Sequence, residues 1–277
     1  MINSRNLFQF DLIDYSDIEY NQELSPGVLI DSLNRDNIGM CAKFMPKQGA
    51  KDSPFCVATT HLLFNPKRID VRLAQMVLLL AELNEFCKKG HNKPIPVILT
   101  GDLNTANNSH IYQLLTEGAC PNKHLGRGNC ANFLIPPQLG ITNSCQYLGG
   151  ENRLDHSEKK KKAVKVANIS DEELQKHFNQ GQFCQDFGFK SVYNPHSSDG
   201  KNVTTRQNRY VMVDYIFYSR RFSKYLNKFI ESNLKLLAKV DLLTEADCTQ
   251  LGHLPNHFCP SDHLSLIGKF LLTKDTK

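Results

Sequence analysis

The sequence lacks the features of a membrane-spanning or secreted protein. Its longest apolar stretch, Met76 to Leu83, is interrupted by Glu82 and is too short to cross a bilayer. The first residues, MINSRNLFQFDLID, contain no basic region followed by an apolar core, so we expect no secretory signal. The hydrophobic content of 40% is ordinary for a globular protein, and 277 residues suit one large domain or two small ones.

The cysteines also lack a recognisable pattern. They number nine, contain no C-x-x-C pair, and Cys120, Cys130 and Cys145 are too widely spaced for a usual zinc site. We interpret them as free thiols. A reducing compartment is therefore expected, the cytoplasm first and the nucleus as the alternative.

The charge of the chain is only mildly positive. A net charge of +5 is compatible with a polyanionic partner but does not indicate one. The densest basic run, Lys159 to Lys162, lies in a polar stretch. We favour a solvated loop for this run, and contact with RNA phosphates is the alternative.

The hydrophobic pattern predicts strands alternating with helices. Ile38, Met40, Ala42 and Phe44 alternate with smaller or polar residues, which is typical of a strand with one buried face. Short runs of apolar or β-branched residues indicate the other strands. The predicted strands are Asp36–Lys47, Phe55–Thr60, Ile95–Thr100, Val211–Ser219 and Leu264–Leu272.

A long amphipathic helix is predicted after the second strand. Asn65 can cap it, Pro66 suits the first helical position, and Gly90 ends it. Apolar residues recur at spacings of three and four, so the helix should lie on a sheet. Charged residues are expected largely on its other side: Arg68, Arg72, Glu82 and Glu85.

Two shorter helices follow. Ser109 caps one that ends at Gly118, and Ser170 with Glu173 forms the capping box of one that ends at Gly181. We predict a single domain over residues 1–277, with an irregular insertion at 119–209 that is rich in Gly, Pro and Asn. Strands alternating with a long helix give an α/β (α+β) fold class.

Four clusters of acidic or imidazole residues lie beside strands. They are His61 in TTHLLFNPKR, Asp102 and Asn104 in GDLNT, Asp214 in VDYIFYS, and Asp262 with His263 in SDHLSL. Phosphoester hydrolysis needs developing charge to be stabilised, a water to be activated and a leaving oxygen to be assisted. A carboxylate-bound cation, a His–Asp pair and an Asp–Asn pair supply these functions. Each cluster alone is more often a turn residue or a core histidine, but their joint occurrence indicates a phosphoesterase.

The order THL, GDLN, VDYIFYS and SDHLSL resembles the endonuclease/exonuclease/phosphatase superfamily. The sequences THLLFNPKRIDVRLAQ and LLTEADCTQLGHLPNHFCPSDHLSLIGKF are similar to the Angel group, within the branch that also holds the deadenylases and nocturnin. The resemblance extends from about Arg35 onward and is thinnest over residues 126–200. It implies a two-sheet β-sandwich flanked by helices, with the site at one edge between the sheets.

The resemblance also implies a role for each catalytic candidate. Asp102 would orient or activate the attacking water, and Asn104 would help to hold the phosphate. His263 would contact the scissile phosphate, oriented by Asp214, and His61 would contact the phosphate as well.

A cation and a substrate class follow from the same resemblance. Asp262 is the implied metal ligand, with Mg²⁺ as the expected ion and Mn²⁺ as the alternative. The implied partner is the 3′ end of an RNA, such as an mRNA or a tRNA. The implied activity is either 3′–5′ exoribonuclease (deadenylase) action or removal of a 2′,3′-cyclic phosphate.

The chain also departs from the family pattern. Neither the early Asn strand nor the metal-binding Glu of a QE motif is found before His61, because Gln22-Glu23 is followed by Leu-Ser-Pro. We therefore expect an N-terminally truncated domain that is poorly stable and weakly active alone. An inactive RNA-binding or scaffolding relative is the alternative. DNA repair nuclease, sphingomyelinase and inositol phosphatase activities are less favoured than an activity on RNA.

Overall fold

A computed structural model describes residues 9–121 and 182–274, apart from 22, 26–27, 30–33, 51, 92–93, 198–199, 207–208 and 224. In chain order the first strands are β1 (Phe10–Glu19), β2 (Glu23–Ser25), β3 (Val28–Leu29), β4 (Ile38–Pro46), β5 (Phe55–His61), β6 (Val97–Asp102), β7 (Ala119–Pro121), β8 (Gln182–Cys184) and β9 (Lys190–Ser191). The later strands are β10 (His196–Ser197), β11 (Gly200–Lys201), β12 (Thr205–Arg206), β13 (Tyr210–Val211), β14 (Asp214–Tyr218), β15 (Arg220–Ser223), β16 (Lys228–Glu231), β17 (Leu234–Lys239) and β18 (Gly268–Leu272). The described helices are α1 (Ile69–Lys88), α2 (His110–Glu117) and α3 (Glu245–Leu251).

The central sheet has six strands in the order β1-β4-β5-β6-β14-β9. β5 and β6 are parallel and are joined through α1, whereas the other neighbouring strands are antiparallel. The remaining described strands form two-stranded pairs, among them β12–β13 and β17–β18. The predicted mixed α/β class is confirmed, and the predicted strands correspond to β4, β5, β6, β14 and β18. β5 and β6 extend beyond their predicted ends to His61 and Asp102, whereas β4, β14 and β18 are shorter than predicted.

The two faces of the sheet differ in how they are covered. On one face, Cys56, Ala58 and Leu99 are fully buried with the apolar residues of α1 and α2. On the other face, Ile38 and Met40 of β4 remain about half exposed. That open face accords with the expected low stability of the chain alone, which stays a prediction.

The first turns of α1 correct three predictions. The helix begins at Ile69 rather than at Pro66, and its N-cap position is Arg68, which makes no side-chain capping bond. Asn65 therefore does not cap it; its Oδ1 accepts from the Lys67 N–H at 3.0 Å within the preceding loop. Arg72 is buried instead of lying on the exposed side. Its guanidinium donates to the carbonyls of the preceding loop, at residues 63, 65 and 66, and so fixes the entry to the helix.

Other helix ends agree with the sequence. α1 ends just before Gly90, which has a φ of +78°. Ser109 caps α2 by accepting from the Tyr112 N–H at 3.2 Å, and Gly118 ends it in a left-handed conformation. No helix in the described ranges is both long and apolar enough to cross a membrane.

Some predictions lie outside the described residues. These are the helix between Ser170 and Gly181, and the lysine run at 159–162. The single domain with an insertion at 119–209 also stays a prediction. By contrast, β1 is a ten-residue strand that the sequence did not indicate.

Candidate active site

Three of the predicted site residues stand side by side on neighbouring strands. His61 ends β5 and lies directly beside Asp102, which ends β6. Asp214 begins β14 and lies opposite Asp102 on the other side. Because residues paired across strands project from the same face, the register alone brings these three side chains together.

Gly101 allows β5 and β6 to approach at this level. Its φ of +144° is a conformation that L-residues rarely adopt, and a Cβ built on it would lie 1.9 Å from the Thr60 carbonyl oxygen. Any side chain would therefore push the strands apart immediately before Asp102. The glycine of GDLN is thus required by the fold as well as by the turn.

His263 reaches the site from the segment before β18. Its Nδ1 lies 2.8 Å from the Asp214 Oδ2, and its Nε2 lies 3.9 Å from the Asp102 Oδ2. Burial by itself lowers the pKa of His263, but the hydrogen bond to Asp214 and the nearby carboxylates outweigh it, so the pKa is raised. The ring is therefore oriented by Asp214 and favours its charged form.

Asp102 is fixed at one oxygen and available at the other. Its Oδ1 accepts the Asn104 backbone N–H at 2.8 Å, and its Oδ2 faces His61 Nε2 at 3.5 Å. Burial raises the pKa of Asp102; the Asn104 N–H and the two histidines oppose that rise, while the charge of Asp214 adds to it. Asn104 has a φ of +48° and uses one amide N–H to donate to the Leu62 carbonyl at 2.8 Å.

The outer rim of the site is formed by two exposed side chains. His61 is 68% exposed and Asp262 is 67% exposed, whereas the Asp102 side chain is only 14% exposed. The Asp262 Oδ2 lies 4.0 Å from His263 Nε2. All six predicted site residues thus converge in one place, while their roles stay predictions.

Two threonines support the site, and sequence reasoning missed both. The Thr204 Oγ1 accepts from the backbone N–H groups of Val213 (3.0 Å) and Asp214 (3.2 Å). The Thr205 Oγ1 donates to the Asp262 carbonyl at 2.7 Å. No motif or spacing marks the pair in NVTTR. Thr205 contacts a residue 57 positions along the chain, and the contacts of Thr204 form only when β13 folds back on β12.

The donor atoms of the site suit a hard divalent cation. Ligand atoms of Asp102, Asp214 and His263 all lie within 4.8 Å of one another. Asp214 is already bonded to His263, so Asp102 and the exposed Asp262 are the carboxylates that remain for a cation. Carboxylate oxygens of this kind are the ligands that Mg²⁺ prefers, usually together with waters and substrate phosphate.

The architecture has close counterparts among solved structures, although no protein-family model matches the sequence. The crystal structure of ANGEL2, a 2′,3′-cyclic phosphatase, is 29% identical with a TM-score of 0.70; the match covers 95% of this chain and 67% of that one. ANGEL2 in complex with adenosine-2′,3′-vanadate is 28% identical with a TM-score of 0.66, over 95% and 68% of the two chains. The fold is therefore that of the endonuclease/exonuclease/phosphatase superfamily.

Sequence comparison identifies the group within that superfamily. Protein angel homolog 2 of Mus musculus is 30% identical over 95% of this chain and 52% of its own length. Protein angel homolog 1 of Homo sapiens is 29% identical over 95% and 48%. The chain spans about half the length of these curated relatives, and it belongs with the Angel-like proteins.

Proposed function

We propose that this chain carries a phosphoesterase site for RNA 3′ ends, with a terminal 2′,3′-cyclic phosphate as its substrate. The observation that carries the proposal is the His263–Asp214 pair, whose free ring nitrogen faces the Asp102 carboxylate. The likeness to ANGEL2, a 2′,3′-cyclic phosphatase, favours the cyclic phosphate over a chain of 3′ adenosines.

Asp102 is the group that positions the attacking water. Its Oδ1 is held by Asn104, so the Oδ2, which faces the rings of His61 and His263, is the oxygen that remains for a water. A water that donates to this oxygen is aligned with the phosphorus and can transfer its proton to the carboxylate as the new P–O bond forms. One ribose–oxygen bond to phosphorus then breaks, the departing oxygen takes a proton from solvent and becomes a hydroxyl, and the other product group is a phosphomonoester.

His263 stabilises the phosphate during this step. Since Nδ1–H donates to Asp214, a protonated ring directs Nε2–H at a phosphate oxygen and adds a positive charge beside it. The raised pKa of His263 keeps more of the ring in this form near neutral pH. His61 lies on the other side of Asp102 and offers a second contact to the phosphate.

A divalent cation would be held by Asp262, while the free oxygen of Asp102 stays with the attacking water. Mg²⁺, or Mn²⁺ as the alternative, supplies neutralisation of the charge on the phosphoryl oxygens when it is bound. Without such a charge, these carboxylates would repel the substrate phosphate. Magnesium dependence is therefore part of the proposal.

Hydrolysis of defined RNAs tests the proposal. One 3′-labelled RNA would end in a 2′,3′-cyclic phosphate and one in oligo(A), each with magnesium or with chelator. We expect magnesium-dependent opening of the cyclic phosphate, lost in Asp102→Ala and kept in the matched variant Asp17→Ala, whose side chain is exposed on β1.

The other outcomes separate the remaining possibilities. Shortening of oligo(A) with the cyclic end untouched would assign the site to deadenylation. RNA binding without turnover, equal in wild type and Asp102→Ala, would contradict the proposal and favour the inactive binding relative.

A further inference from the structure

A buried glutamine on α1 is bonded to the segment that follows β5. The Gln75 side chain is fully buried, and its Oε1 accepts the Leu63 N–H at 3.0 Å. Its Nε2 donates to the Asn37 Oδ1 at 3.2 Å, and the Asn37 Nδ2 in turn donates to the His61 carbonyl at 3.0 Å. The Gln75 amide therefore holds both residues that flank Leu62, one directly and one through Asn37.

Leu62 is the residue at which this segment meets the GDLN segment of the site. Its N–H donates to the Asp102 carbonyl at 3.0 Å, and its own carbonyl accepts the Asn104 Nδ2–H at 2.8 Å. An amide nitrogen carries two N–H groups, so the second one of Asn104 remains for a phosphate oxygen. The direction of that donor is therefore set by where the Leu62 carbonyl lies.

An amide is a costly side chain at this position of the helix. The neighbours of Gln75 along α1 are apolar and fully buried: Leu73, Ala74, Met76 and Val77. A polar group buried among such residues is tolerated only when it is hydrogen-bonded. A leucine here would be similar in size but would leave the Leu63 N–H and the Asn37 Oδ1 without these bonds. What the amide adds is thus control over the segment from His61 to Leu63.

We propose that Gln75 is a positioning residue of the site, which acts through the Leu62 carbonyl on Asn104. It holds the segment after β5 from the helix, while Asn37 holds it at the His61 carbonyl. It thereby fixes the direction of the Asn104 amide and the backbone that carries the His61 ring. The inference rests on the proposed function only for what these two groups bind, which is the reacting phosphate.

The matched control for Gln75 is a second buried glutamine far from the site. Gln185 is also buried, its Nε2 donates to the carbonyls of residues 114 and 115, and its Oε1 accepts the N–H groups of residues 187 and 188. The carbonyl of residue 187 accepts the Arg220 N–H, just beyond the end of β14 opposite to Asp214. Gln185→Leu therefore removes a comparable set of buried bonds without touching the site.

Hydrolysis of an RNA that ends in a 2′,3′-cyclic phosphate gives the first readout. We expect kcat/KM to fall about tenfold or more in Gln75→Leu, because a misplacement of about 1 Å at a reacting group can cost about 100-fold in rate. Gln185→Leu should lower the urea midpoint as well but keep kcat/KM. Gln75→Glu keeps an acceptor for the Leu63 N–H, and its burial favours the protonated carboxyl, which can donate to Asn37. This variant should recover part of the loss, which a defect in packing would not allow.

The NMR signals of the Asn104 side-chain amide report the same positioning without turnover. They are assigned by their absence in Asn104→Asp. We expect the shift of the proton bonded to the Leu62 carbonyl to change in Gln75→Leu and to stay in Gln185→Leu. Asn37→Ala breaks the same chain of bonds at a partly exposed residue and should change this shift too, so it replaces Gln75→Leu if that variant does not fold.

The outcomes separate this inference from the proposed function. Unchanged Asn104 signals in Gln75→Leu, or in Asn37→Ala where it is the replacement, would overturn the positioning role. An equal loss of kcat/KM in Gln75→Leu and Gln185→Leu would overturn it as well. Changed Asn104 signals that Gln185→Leu does not share, with no turnover of the cyclic phosphate by wild type, would leave the positioning role standing and refute the phosphoesterase proposal.

Discussion

Replacing Gly101 with alanine tests how the contact between β5 and β6 builds the site. A φ of +144° is costly for an L-residue, at about 1–3 kcal/mol. The added Cβ would also lie 1.9 Å from the Thr60 oxygen and 3.0 Å from its carbonyl carbon, so backbone rather than a flexible side chain must move. We expect Gly101→Ala to lower the free energy of unfolding by at least about 3 kcal/mol, out of a usual total of about 5–15 kcal/mol.

Urea denaturation followed by circular dichroism measures this loss. Gly90→Ala is the matched control, because Gly90 also has a positive φ of +78° but nothing lies within 4 Å of its Cβ position. That variant should lose only about 1–2 kcal/mol, from backbone conformation alone. Equal urea midpoints for the two variants would show that the close approach at Thr60 contributes nothing, and would refute the reasoning.

Three further predictions concern groups that support the site or its sheet. Asp214→Asn should lower the pKa of His263 in an NMR titration with chelator, and an unchanged titration would contradict the pairing. In wild type the raised pKa of His263 stabilises the fold below about pH 6.5, and this contribution should decline as the pH rises through the folded-state pKa. Thr204→Val leaves two backbone N–H groups without an acceptor and should cost about 1–3 kcal/mol in urea denaturation, whereas Thr204→Ser should be close to wild type. Arg72→Met removes the donors to three loop carbonyls and should lower the thermal midpoint, unlike Lys67→Met at an exposed position.

The strands that carry the site were predictable because each combines an apolar run with a polar end. IPVILT runs into GDLN, and FCVATT runs into His61, so the pattern itself places Asp102 and His61 where strands end. The pairing of His263 with Asp214 was implied by the family resemblance, and in the structure the His263 Nδ1 lies 2.8 Å from the Asp214 Oδ2. Thr204 and Thr205 were not predictable, since their partners are fixed only by tertiary contacts.

Charged residues led to wrong predictions for two elements, α1 and β1. Arg72 was assigned to the exposed side of α1 because charged residues usually remain in water, yet its long side chain satisfies three carbonyls of the preceding loop. β1 was overlooked because its apolar residues are interrupted by acidic ones. Two of these, Asp11 and Asp14, pair with Lys47 and Lys89, which reconciles an acidic strand with its position at the edge of the sheet.

The register of three strands makes the site an all-or-none feature of the fold. A shift of β6 by one residue would turn Asp102 to the opposite face of the sheet, away from both His61 and Asp214. The parallel pairing with β5 and the antiparallel pairing with β14 fix that register independently. Gly101 sits where both pairings must hold at once, and the Thr204 hydroxyl anchors the first amide of β14 on the other side. The chemistry therefore depends on backbone geometry that no single catalytic side chain supplies.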